Sequence, residues 1–387
     1  MRKKTSRAPK YIKLKEYLLA AINEGRLQPG DCIGSENNLG SDFGISRPSV
    51  RNAIDELIKE GLVNRVPGKG TFVADPASRS FVQSSKVISF VVPDVQTPFI
   101  GPIYKGVQRV AEENGYALAV YSSDWQIEKE NRNIRLAMER GECGTIIFPN
   151  WGRHNYSEIL ELKKSGYPFV LIDRYFRDIP TDYVVVDNFM GAFEAVEYLI
   201  GLGHTSIAHV MGLPGTANDA RLEGYKQALL GKGLKVQEGN MLMIGSAEED
   251  QTEPHQACGY EETLELLQKK NRPTAIFAGS DFIALGVIQA AKSMGLSVPD
   301  DIAVVGFDDL EFASWPDIEL TTVAQPKEDI GAIAAELLIE KIEAKRKMRE
   351  IQIQQIVLQP RLIARRTCGG VIAEKRGARS GQFATTA

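Results

Sequence analysis

The apolar residues of this chain follow two rhythms, which divide it into a short first part and a long second part. Between residues 11 and 74 they recur at steps of three and four, as in Val50, Ile54 and Leu57, and this spacing predicts amphipathic helices. From Val87 onward, short continuous apolar runs alternate with amphipathic stretches. Such runs predict strands that are buried on both faces, and their alternation with helices predicts a parallel sheet covered on either side.

The first part predicts a helix-turn-helix followed by a β-hairpin. Ser35 and Ser46 are suited to cap two of the helices, and Gly44 suits the tight turn between them. The stretch Pro67-Gly68-Lys69-Gly70 predicts a hairpin turn with Lys69 at its tip. The predicted helices are Tyr11–Ile22, Glu36–Phe43 and a third that starts after Ser46 and ends at Gly61, and the predicted strands are Leu62–Val66 and Thr71–Val73. This succession is the plan of a winged helix-turn-helix, an α+β domain.

Positively charged residues lie at the two places where a winged helix meets DNA. Arg47 and Arg51 are four residues apart, so they share one face at the N-terminal end of the third helix. A helix fits the major groove, where arginine can donate two hydrogen bonds to guanine, and a cationic hairpin tip can meet phosphate or the minor groove. The candidate DNA-binding residues are Ser46, Arg47, Ser49, Arg51, Gly68, Lys69 and Gly70.

The stretch from residue 10 to residue 74 resembles the DNA-binding domain of the GntR family of bacterial regulators. The matching phrases are Leu27-Gln28-Pro29-Gly30-Asp31, Phe43-Gly44-Ile45-Ser46-Arg47, Val50-Arg51, Glu60-Gly61-Leu62 and Gly68-Lys69-Gly70-Thr71-Phe72-Val73. The family usually has Pro-Ser-Glu-Arg before its second helix, whereas this chain has Gly34-Ser35-Glu36-Asn37, so the DNA contact of that arginine is not transferred. The resemblance implies binding to double-stranded operator DNA.

The distribution of charge agrees with an anionic partner at the front of the chain. The whole chain has a formal net charge of −4. Its first 76 residues contain 13 Lys and Arg against 9 Asp and Glu, a net charge of +4, so the remainder carries −8. Nucleic acid is therefore expected to bind the first part and not the second.

Other classes of function find no supporting motif in the sequence. The four cysteines are isolated, without metal or redox spacing, and fit a reducing cytoplasm. No apolar run follows the basic N-terminus or approaches the roughly 18 residues of a membrane span, so neither secretion nor a membrane partner is expected. The four histidines are scattered, His204 has no partnered acid nearby in sequence, and no phosphate loop, nucleophile elbow or zinc spacing occurs. We expect neither an enzyme nor a cofactor or metal.

The second part is too long for one comfortable core. Roughly 280 residues of alternating strands and helices predict two α/β lobes with a cleft between them. Open parallel sheets bind ligands beyond the carboxyl ends of their strands, where Asp94, Asp173, Asp281 and Asp308 are predicted to lie. Carboxylates accept hydrogen bonds from the paired hydroxyl groups of sugars, and arginine donates to sugar oxygens. The alternative for Asp281 is a helix N-cap.

Residues 87–363 resemble the effector-binding domain of the LacI/GalR family, which is itself similar to periplasmic sugar-binding proteins. The matching phrases are Gly201-Leu202-Gly203-His204, Ala220-Arg221-Leu222-Glu223-Gly224-Tyr225, Pro273-Thr274-Ala275-Ile276-Phe277-Ala278-Gly279-Ser280-Asp281, Val304-Val305-Gly306-Phe307-Asp308-Asp309 and Leu320-Thr321-Thr322-Val323. The resemblance implies that Arg221 and Asp308 clasp the ligand and that Asp173 and Arg174 line the cleft. The alternative for Arg221 is a surface ion pair. Ser280 stands where many members have a ligand-contacting asparagine, so that contact is not transferred.

Aromatic residues also follow predicted strand ends. Phe99, Trp151 and Tyr175 are candidates for stacking on the apolar face of a sugar, the alternative being that they close a core. The candidate effector-binding residues are Phe99, Trp151, Asp173, Arg174, Arg221, Asp281 and Asp308.

Together these features predict a homodimeric transcription repressor that a small sugar releases from a palindromic operator. The order of its domains is similar to the layout of the arabinose repressors, a resemblance of layout and not of the effector pocket. The alternatives are a corepressor-dependent regulator or an activator and, in another class, a sugar-binding protein without DNA regulation. The expected organisation is a basic arm over 1–10, a winged helix over 11–74, a linker over 75–86, an effector-binding domain over 87–363 and a disordered tail over 366–387.

Overall fold

The structure, a computed structural model, describes residues 10–59, 61–66, 69–74, 86–150, 156–244, 259–347, 349 and 351–369. The predicted arm before Lys10, the predicted linker before Lys86, and the candidate residues Gly68 and Trp151 lie outside the described residues. The chain divides into two compact units between Lys86 and Val87.

In its described residues, the first unit contains three helices and a hairpin. Helices α1 (Lys10–Asn23), α2 (Glu36–Phe43) and α3 (Arg47–Lys59) precede strands β1 (Val63–Val66) and β2 (Gly70–Val73). The Ser35 hydroxyl accepts a hydrogen bond from the Asn38 amide (3.2 Å) and caps α2, which ends at Gly44 in the left-handed conformation. The two strands pair antiparallel. The apolar faces of the helices meet in a core that includes Leu14, Leu18, Val50, Ile54 and Leu57. The predicted winged helix is confirmed.

The second unit contains two lobes, each built on a sheet of six described strands. The N-lobe comprises strands β3 (Val87–Val92), β4 (Ala117–Ser122), β5 (Thr145–Ile147), β6 (Phe169–Ile172), β7 (Tyr183–Val186) and β13 (Gln355–Leu358), with helices α4 (Ile100–Glu113), α5 (Ile127–Glu139), α6 (Tyr156–Ser165) and α11 (Lys327–Arg346). The C-lobe comprises strands β8 (Ile207–Met211), β9 (Met241–Met243), β10 (Ala275–Ala278), β11 (Ala303–Asp308), β12 (Thr321–Ala324) and β14 (Arg361–Ile363), with helices α7 (Asn188–Gly201), α8 (Thr216–Gly231), α9 (Tyr260–Leu267) and α10 (Asp281–Ser293). Short 3-10 helices cover Glu238–Asn240, Glu311–Ser314 and Arg366–Cys368.

The topology of the sheets creates a cleft between the lobes. The strand order is β4-β3-β5-β6-β7-β13 in the N-lobe and β9-β8-β10-β11-β12-β14 in the C-lobe. Neighbouring strands are parallel except for β12 and β14, which are antiparallel. The chain passes from one lobe to the other directly after β7, β12 and β13. Because these strands end at the crossings, both parallel sheets turn their carboxyl ends towards the boundary between the lobes, where ligands bind in such folds.

Helices cover both faces of each sheet, as the continuous apolar strands predict. In the N-lobe, α4 and α11 pack on one face and α5 and α6 on the other. In the C-lobe, α7 and α8 pack on one face and α9 and α10 on the other. The predicted two-lobed α/β fold is confirmed. None of the helices that the structure describes has both the length and the apolar surface needed to cross a membrane.

The C-terminal end of the second unit differs from the prediction in two respects. The sequence pattern does not predict β13 and β14, because they are edge strands whose residues are half-buried or exposed and lack a continuous buried run. The expectation of disorder from residue 366 is wrong for the start of the tail, since Thr367 and Cys368 are buried and the Thr367 hydroxyl donates to the Val304 carbonyl oxygen (2.7 Å). Residues 370–387 lie outside the described part of the chain.

Candidate DNA-binding surface and effector-binding cleft

The N-terminal end of α3 presents two arginines to solvent. Arg47 and Arg51 are exposed and lie about one helical turn apart. Arg51 Nη2 is 3.0 Å from Glu36 Oε2, and Arg51 Nε donates to Glu36 Oε1 (3.3 Å). Arg65 Nη2 on β1 lies 3.3 Å from the same Oε1 atom. The Glu36 carboxylate therefore contacts one arginine from α3 and one from the hairpin. The hydrogen bond from Arg51 lowers the pKa of the Glu36 carboxyl.

The other predicted DNA contacts lie at the start of α3 and at the hairpin tip. Ser46 Oγ and Ser49 Oγ are 2.9 Å apart where α3 begins. Lys69 is exposed at the tip, and its amide donates to the Val66 carbonyl oxygen (3.0 Å). Gly70 follows with a φ of +126°, a conformation that side chains rarely adopt. Cationic groups are thus placed both on the helix end and on the hairpin tip.

In the second unit, Arg221 on α8 reaches the boundary between the lobes. Its side chain is only 7% exposed. Its Nε donates to Asn188 Oδ1 (2.8 Å) and its Nη1 to the Gly279 carbonyl oxygen (2.5 Å). The guanidinium carbon lies 3.7 Å from the centre of the Phe307 ring, and Nη2 lies 3.9 Å from Asp308 Oδ1. Because the group is buried, the alternative of a surface ion pair for Arg221 is wrong.

Asp308, the last residue of β11, lies beside Arg221. Gln325 Nε2 donates to Asp308 Oδ1 (2.8 Å), and Lys327 Nζ donates to the Asp308 carbonyl oxygen. The backbone φ is +120° at Asp308 and +50° at Asp309, a region that residues other than glycine rarely occupy. Burial raises the pKa of Asp308 to about 6, although the neighbouring Arg221 acts to lower it. A strained backbone and a perturbed carboxyl at a strand end are together typical of a ligand-binding position.

Asp173 and Arg174 follow β6 and form the N-lobe side of the cleft. Asp173 has a φ of +63°, and its Oδ2 lies 3.3 Å from Arg174 Nε. Arg174 Nη1 donates to the Pro149 carbonyl oxygen (2.8 Å), and its guanidinium carbon is 4.9 Å from the centre of the Phe148 ring. Burial, assisted by the charge of Arg221, lowers the pKa of Arg174 to about 10, although the neighbouring Asp173 acts to raise it. The amide of the next residue, Tyr175, lies 3.4 Å from the Thr216 hydroxyl at the start of α8, so this side of the N-lobe faces the helix that carries Arg221.

An aromatic pair and a buried amide extend the N-lobe side. The rings of Phe99 and Phe148 have their centres 6.0 Å apart. Two residues after Phe148, the Asn150 amide donates to Glu130 Oε2 (2.8 Å), and Asn150 Nδ2 donates to Ser123 Oγ (3.2 Å). Asn150 Oδ1 is buried and accepts no hydrogen bond from any described residue. A buried acceptor of this kind needs a donor, which a ligand or a water molecule can supply.

Asp281 lies behind the cleft and not in it. The residue has no exposed surface, and its carboxylate accepts hydrogen bonds from the Leu310 amide (2.7 Å) and from the Thr322 hydroxyl (2.5 Å). Burial and the charge of Asp308 raise the pKa of Asp281 well above its ordinary value. The cap of α10 is Ser280, so the alternative role of Asp281 as N-cap is wrong as well. Asp281 links α10 to β12 and to the loop after β11, and the expected effector contact is replaced by this structural one.

The other described candidates converge on the boundary between the lobes. They are Phe99, Asp173, Arg174, Arg221 and Asp308. Sequence reasoning missed Asn188, Phe307 and Gln325, which contact Arg221 or Asp308 directly. Asn188 and Gln325 closely follow the ends of β7 and β12, so the rule that pointed to the aspartates could have found them. Contact of these residues with an effector stays a prediction.

Comparison with known proteins supports the predicted domain type of both units. Residues 10–73 match the family model described as bacterial regulatory proteins, gntR family, and residues 196–368 match the periplasmic binding protein-like domain. The chain is 33% identical over 371 residues to the arabinose metabolism transcriptional repressor of Geobacillus stearothermophilus, a match that covers 94% of this chain and 98% of that protein. It is 30% identical over 329 residues to the ribose operon repressor of Escherichia coli strain K12, covering 83% of this chain and 96% of that protein.

A solved structure agrees with the fold of the second unit. It is that of a LacI family transcriptional regulator from Enterococcus faecium with bound ribose, and it matches with a TM-score of 0.60 and 28% identity over 73% of this chain and 98% of that chain. The prediction of a DNA-binding transcriptional regulator is thereby confirmed. The chain belongs to the family of bacterial transcriptional repressors in which a GntR-type winged helix precedes a periplasmic-binding-protein-like domain of the LacI type.

Proposed function

We propose that the chain is a cytoplasmic, homodimeric repressor that leaves a palindromic operator when a neutral sugar binds between its lobes. The observation that carries the proposal is the position of two charged pairs on the two sides of the cleft, Arg221 with Asp308 and Arg174 with Asp173, where the loop after β6 meets the start of α8. A ligand held by both pairs contacts both lobes, so it stabilises the arrangements in which the lobes are close.

The pairing of the charges favours a neutral ligand. Arg221 Nη2 lies 3.9 Å from Asp308 Oδ1, and Arg174 Nε lies 3.3 Å from Asp173 Oδ2. A phosphate group would meet these carboxylates together with the arginines, and repulsion from the carboxylates would offset the attraction. Hydroxyl groups can donate to the carboxylates and accept from the arginines at the same time. The buried Asn150 Oδ1 suits one further hydroxyl donor.

Arabinose is the first sugar to test, because the relative from Geobacillus stearothermophilus is named as an arabinose metabolism repressor. Ribose is the second, because the relative from Escherichia coli is named as a ribose operon repressor and the Enterococcus faecium structure contains ribose. Either sugar offers an apolar ring face that the pair Phe99 and Phe148 could cover.

Dimerisation is proposed through the outer face of the C-lobe. Trp315 is 54% exposed, and its ring centre lies 6.5 Å from that of Phe312. A groove of about 420 Å³ lies between α10 and the segment that follows Trp315, and its lining includes Leu285, Ile288 and Ile318. Exposed apolar surface of this kind marks contacts between proteins. Two copies related by a twofold axis match the two half-sites of a palindromic operator.

The test measures sugar binding, DNA release and oligomeric state. A duplex selected from a random library by the wild-type protein is titrated with protein in the presence of L-arabinose, D-ribose or D-ribose 5-phosphate. We expect one neutral sugar to raise the Tm and to weaken DNA binding, and the phosphate to do neither. A sugar that tightens DNA binding would indicate a corepressor, and sugar binding without any change in DNA affinity would indicate a sugar-binding protein without regulation. Trp315→Glu should yield a monomer in sedimentation experiments.

A further inference from the structure

Asp308 contacts two different parts of the second unit. Its carboxylate lies beside Arg221 in the proposed sugar site, and its carbonyl oxygen accepts a hydrogen bond from Lys327 Nζ. The same Nζ donates to the Asp309 carbonyl oxygen (2.9 Å). Lys327 is the first residue of α11, whose apolar face packs in the N-lobe. The start of an N-lobe helix is therefore held by two carbonyl oxygens of the C-lobe, next to the proposed sugar site.

The helix α11 packs against α4 with their backbones in close contact. A Cβ atom added to Gly106 would lie 2.0 Å from the Glu328 carbonyl oxygen, and one added to Gly331 would lie 2.0 Å from the Ile103 carbonyl oxygen. Helices in such close contact cannot slide past one another without a clash. The 20 residues of α11 span about 28 Å at the ordinary helical rise. A displacement at its first residue is thus carried to its last.

The far end of α11 contacts the place where the chain arrives from the first unit. Arg346 Nη1 donates to the Tyr116 hydroxyl (3.2 Å), and Arg346 Nη2 donates to Cys143 Sγ (3.5 Å). The Cys143 amide donates to the Val87 carbonyl oxygen (2.8 Å). Val87 is the first residue of β3 and of the second unit. A continuous series of contacts therefore runs from Asp308 to Val87.

We propose that Lys327 and α11 transmit sugar binding from Asp308 to Val87, where the chain from the DNA-binding unit enters. A sugar that engages the Asp308 carboxylate turns the peptide groups that hold Lys327, and α11 passes the displacement through Arg346 and Cys143. The positive φ values of Asp308 and Asp309 are strained, so a rotation of these peptide groups that relieves the strain is favoured. Lys327 Nζ also lies 6.0 Å from the centre of the Phe99 ring, and we assign Lys327 a positioning role through its two carbonyl partners and no hydrogen bond to the sugar. The inference rests on the proposed function, since it requires sugar at Asp308 and DNA on the first unit.

The first variant removes the hydrogen bonds from Lys327 to the carbonyl oxygens of Asp308 and Asp309. Lys327→Met keeps much of the length of the side chain and removes the ammonium donor. The sugar used is whichever of L-arabinose and D-ribose weakens DNA binding by the wild-type protein. We measure its Kd by calorimetry, and the Kd for the selected duplex with and without that sugar at saturation. Both separate affinities should stay within about threefold of wild type, whereas the weakening of DNA binding by sugar should fall from about tenfold or more to below about threefold. Lys327→Arg retains a donor and should restore most of the weakening.

The second variant removes the hydrogen bonds from Arg346, at the C-terminal end of α11, to Tyr116 and Cys143. Arg346→Met should reduce the effect of the same sugar on DNA binding in the same way, although Arg346 lies a whole helix away from the sugar site. The matched control is Lys232→Met, which breaks an exposed ion pair between Lys232 and Glu197 (2.7 Å) on the C-lobe. The control should release DNA as wild type does. Circular dichroism and the Tm establish that each variant is folded, and Lys327→Gln replaces Lys327→Met should the latter not fold.

Three outcomes would contradict the inference, and they are distinguishable. Wild-type release of DNA by both Lys327→Met and Arg346→Met would overturn the transmission and leave the proposed function standing. Loss of sugar binding by a folded Lys327→Met would overturn it too, because the lysine would then belong to the sugar site. If neither L-arabinose nor D-ribose changes the DNA affinity of the wild-type protein, the proposed function fails and the inference fails with it.

Discussion

Glu36 on α2 and Arg51 on α3 face each other across the turn of the helix-turn-helix, with Arg51 Nη2 3.0 Å from Glu36 Oε2. Arg65 from the hairpin lies 3.3 Å from the other carboxylate oxygen, so one carboxylate positions arginines from two elements. Because all three side chains are partly exposed, these ion pairs contribute little to stability. Their consequence is positional, since they hold the Arg51 guanidinium at the end of α3 that is proposed to enter the major groove.

Arg51 is expected to read bases. Arg51→Ala should weaken binding to the selected duplex by about 1–3 kcal/mol and should relax the preference for the base pair that it contacts. Competition binding against duplexes with single base-pair changes measures both effects. Arg109→Ala, which breaks an exposed ion pair with Glu113 in the second unit, is the control. Unchanged affinity and preference in a folded Arg51→Ala would refute the assignment.

Glu36 is expected to contribute specificity through Arg51 and Arg65. Glu36→Gln removes a negative charge from the proposed DNA-binding surface, so nonspecific binding should become stronger. It also releases the two arginines from their fixed positions, so the ratio of specific to nonspecific affinity should fall. Measuring Kd for the selected duplex and for a scrambled duplex gives this ratio. A ratio equal to that of wild type would show that Glu36 does not position the arginines on DNA.

Lys69 is expected to contact phosphate. Lys69→Ala should weaken specific and nonspecific binding alike, because a phosphate contact carries no sequence information. The slope of log K against log salt concentration should become shallower by about one. Binding isotherms at several salt concentrations give the slope. If the slope does not change, the lysine at the hairpin tip is not a phosphate ligand.

Arg221 and Asp308 are expected to bind the sugar without affecting operator binding. Asp308→Asn keeps the shape of the side chain and removes a charged acceptor, which should weaken sugar binding by about 1–3 kcal/mol. Arg221→Ala removes the donor that faces Asn188 and Asp308. Both variants should hold the operator and, when sugar is titrated into preformed complexes, should fail to release it at the sugar concentration that releases wild type. For Asp308→Asn, release should require about 5- to 150-fold more sugar. Release at the wild-type sugar concentration would place the pocket elsewhere, and failure to bind DNA without sugar would favour a corepressor or a purely structural role.

His209 on β8 is expected to make folding sensitive to acid. It is fully buried, its Nδ1 lies 2.9 Å from the Phe277 carbonyl oxygen, and burial lowers its pKa to about 4 from an ordinary value of 6.5. Because the unfolded chain then binds more protons, the contribution is fully present above pH 6.5 and is lost as the pH falls towards 4. The difference corresponds to about 3 kcal/mol in the free energy of unfolding.

The comparison of wild type with His209→Gln isolates this effect. The raised pKa of Asp308 acts in the opposite direction over part of the same pH range, since a carboxyl that binds its proton more tightly in the folded state loses stability as the pH rises. That contribution is common to both proteins and cancels in the difference. Urea denaturation between pH 4 and pH 7 should show a steeper loss of stability towards acid in wild type. Parallel curves would contradict the assignment.

Local signals in the sequence were enough to predict the winged helix. The turn at Gly44, the cap at Ser35 and the three- and four-residue spacing of Val50, Ile54 and Leu57 act within a few residues of one another. The same holds for the parallel sheets, because a strand buried on both faces must be apolar throughout. The edge strands β13 and β14 escaped prediction because a strand with one neighbour needs no such run.

The candidate effector site was predicted in part. Arg221 and Asp308 carry motifs that can be read in the sequence, and Asp173 and Arg174 follow a recognisable strand. Asp281 also lies near the carboxyl end of a strand, three residues after β10, yet its carboxylate accepts a hydrogen bond from the Leu310 amide. The direction of a side chain at a strand end depends on the backbone angles there, and these depend on the packing of the loops around it.

The sequence by itself determined the type of each unit, the strand ends that line the cleft and the arginines at the end of α3, because these follow from periodicity and from short motifs. Only the tertiary structure decided which charges meet: Glu36 with Arg65, Arg221 with Asp308, and Lys327 with the carbonyl oxygens after β11. The partners in these contacts lie between 18 and 87 residues apart along the chain. Their meeting depends on how helices and sheets pack, and no local pattern of residues specifies that.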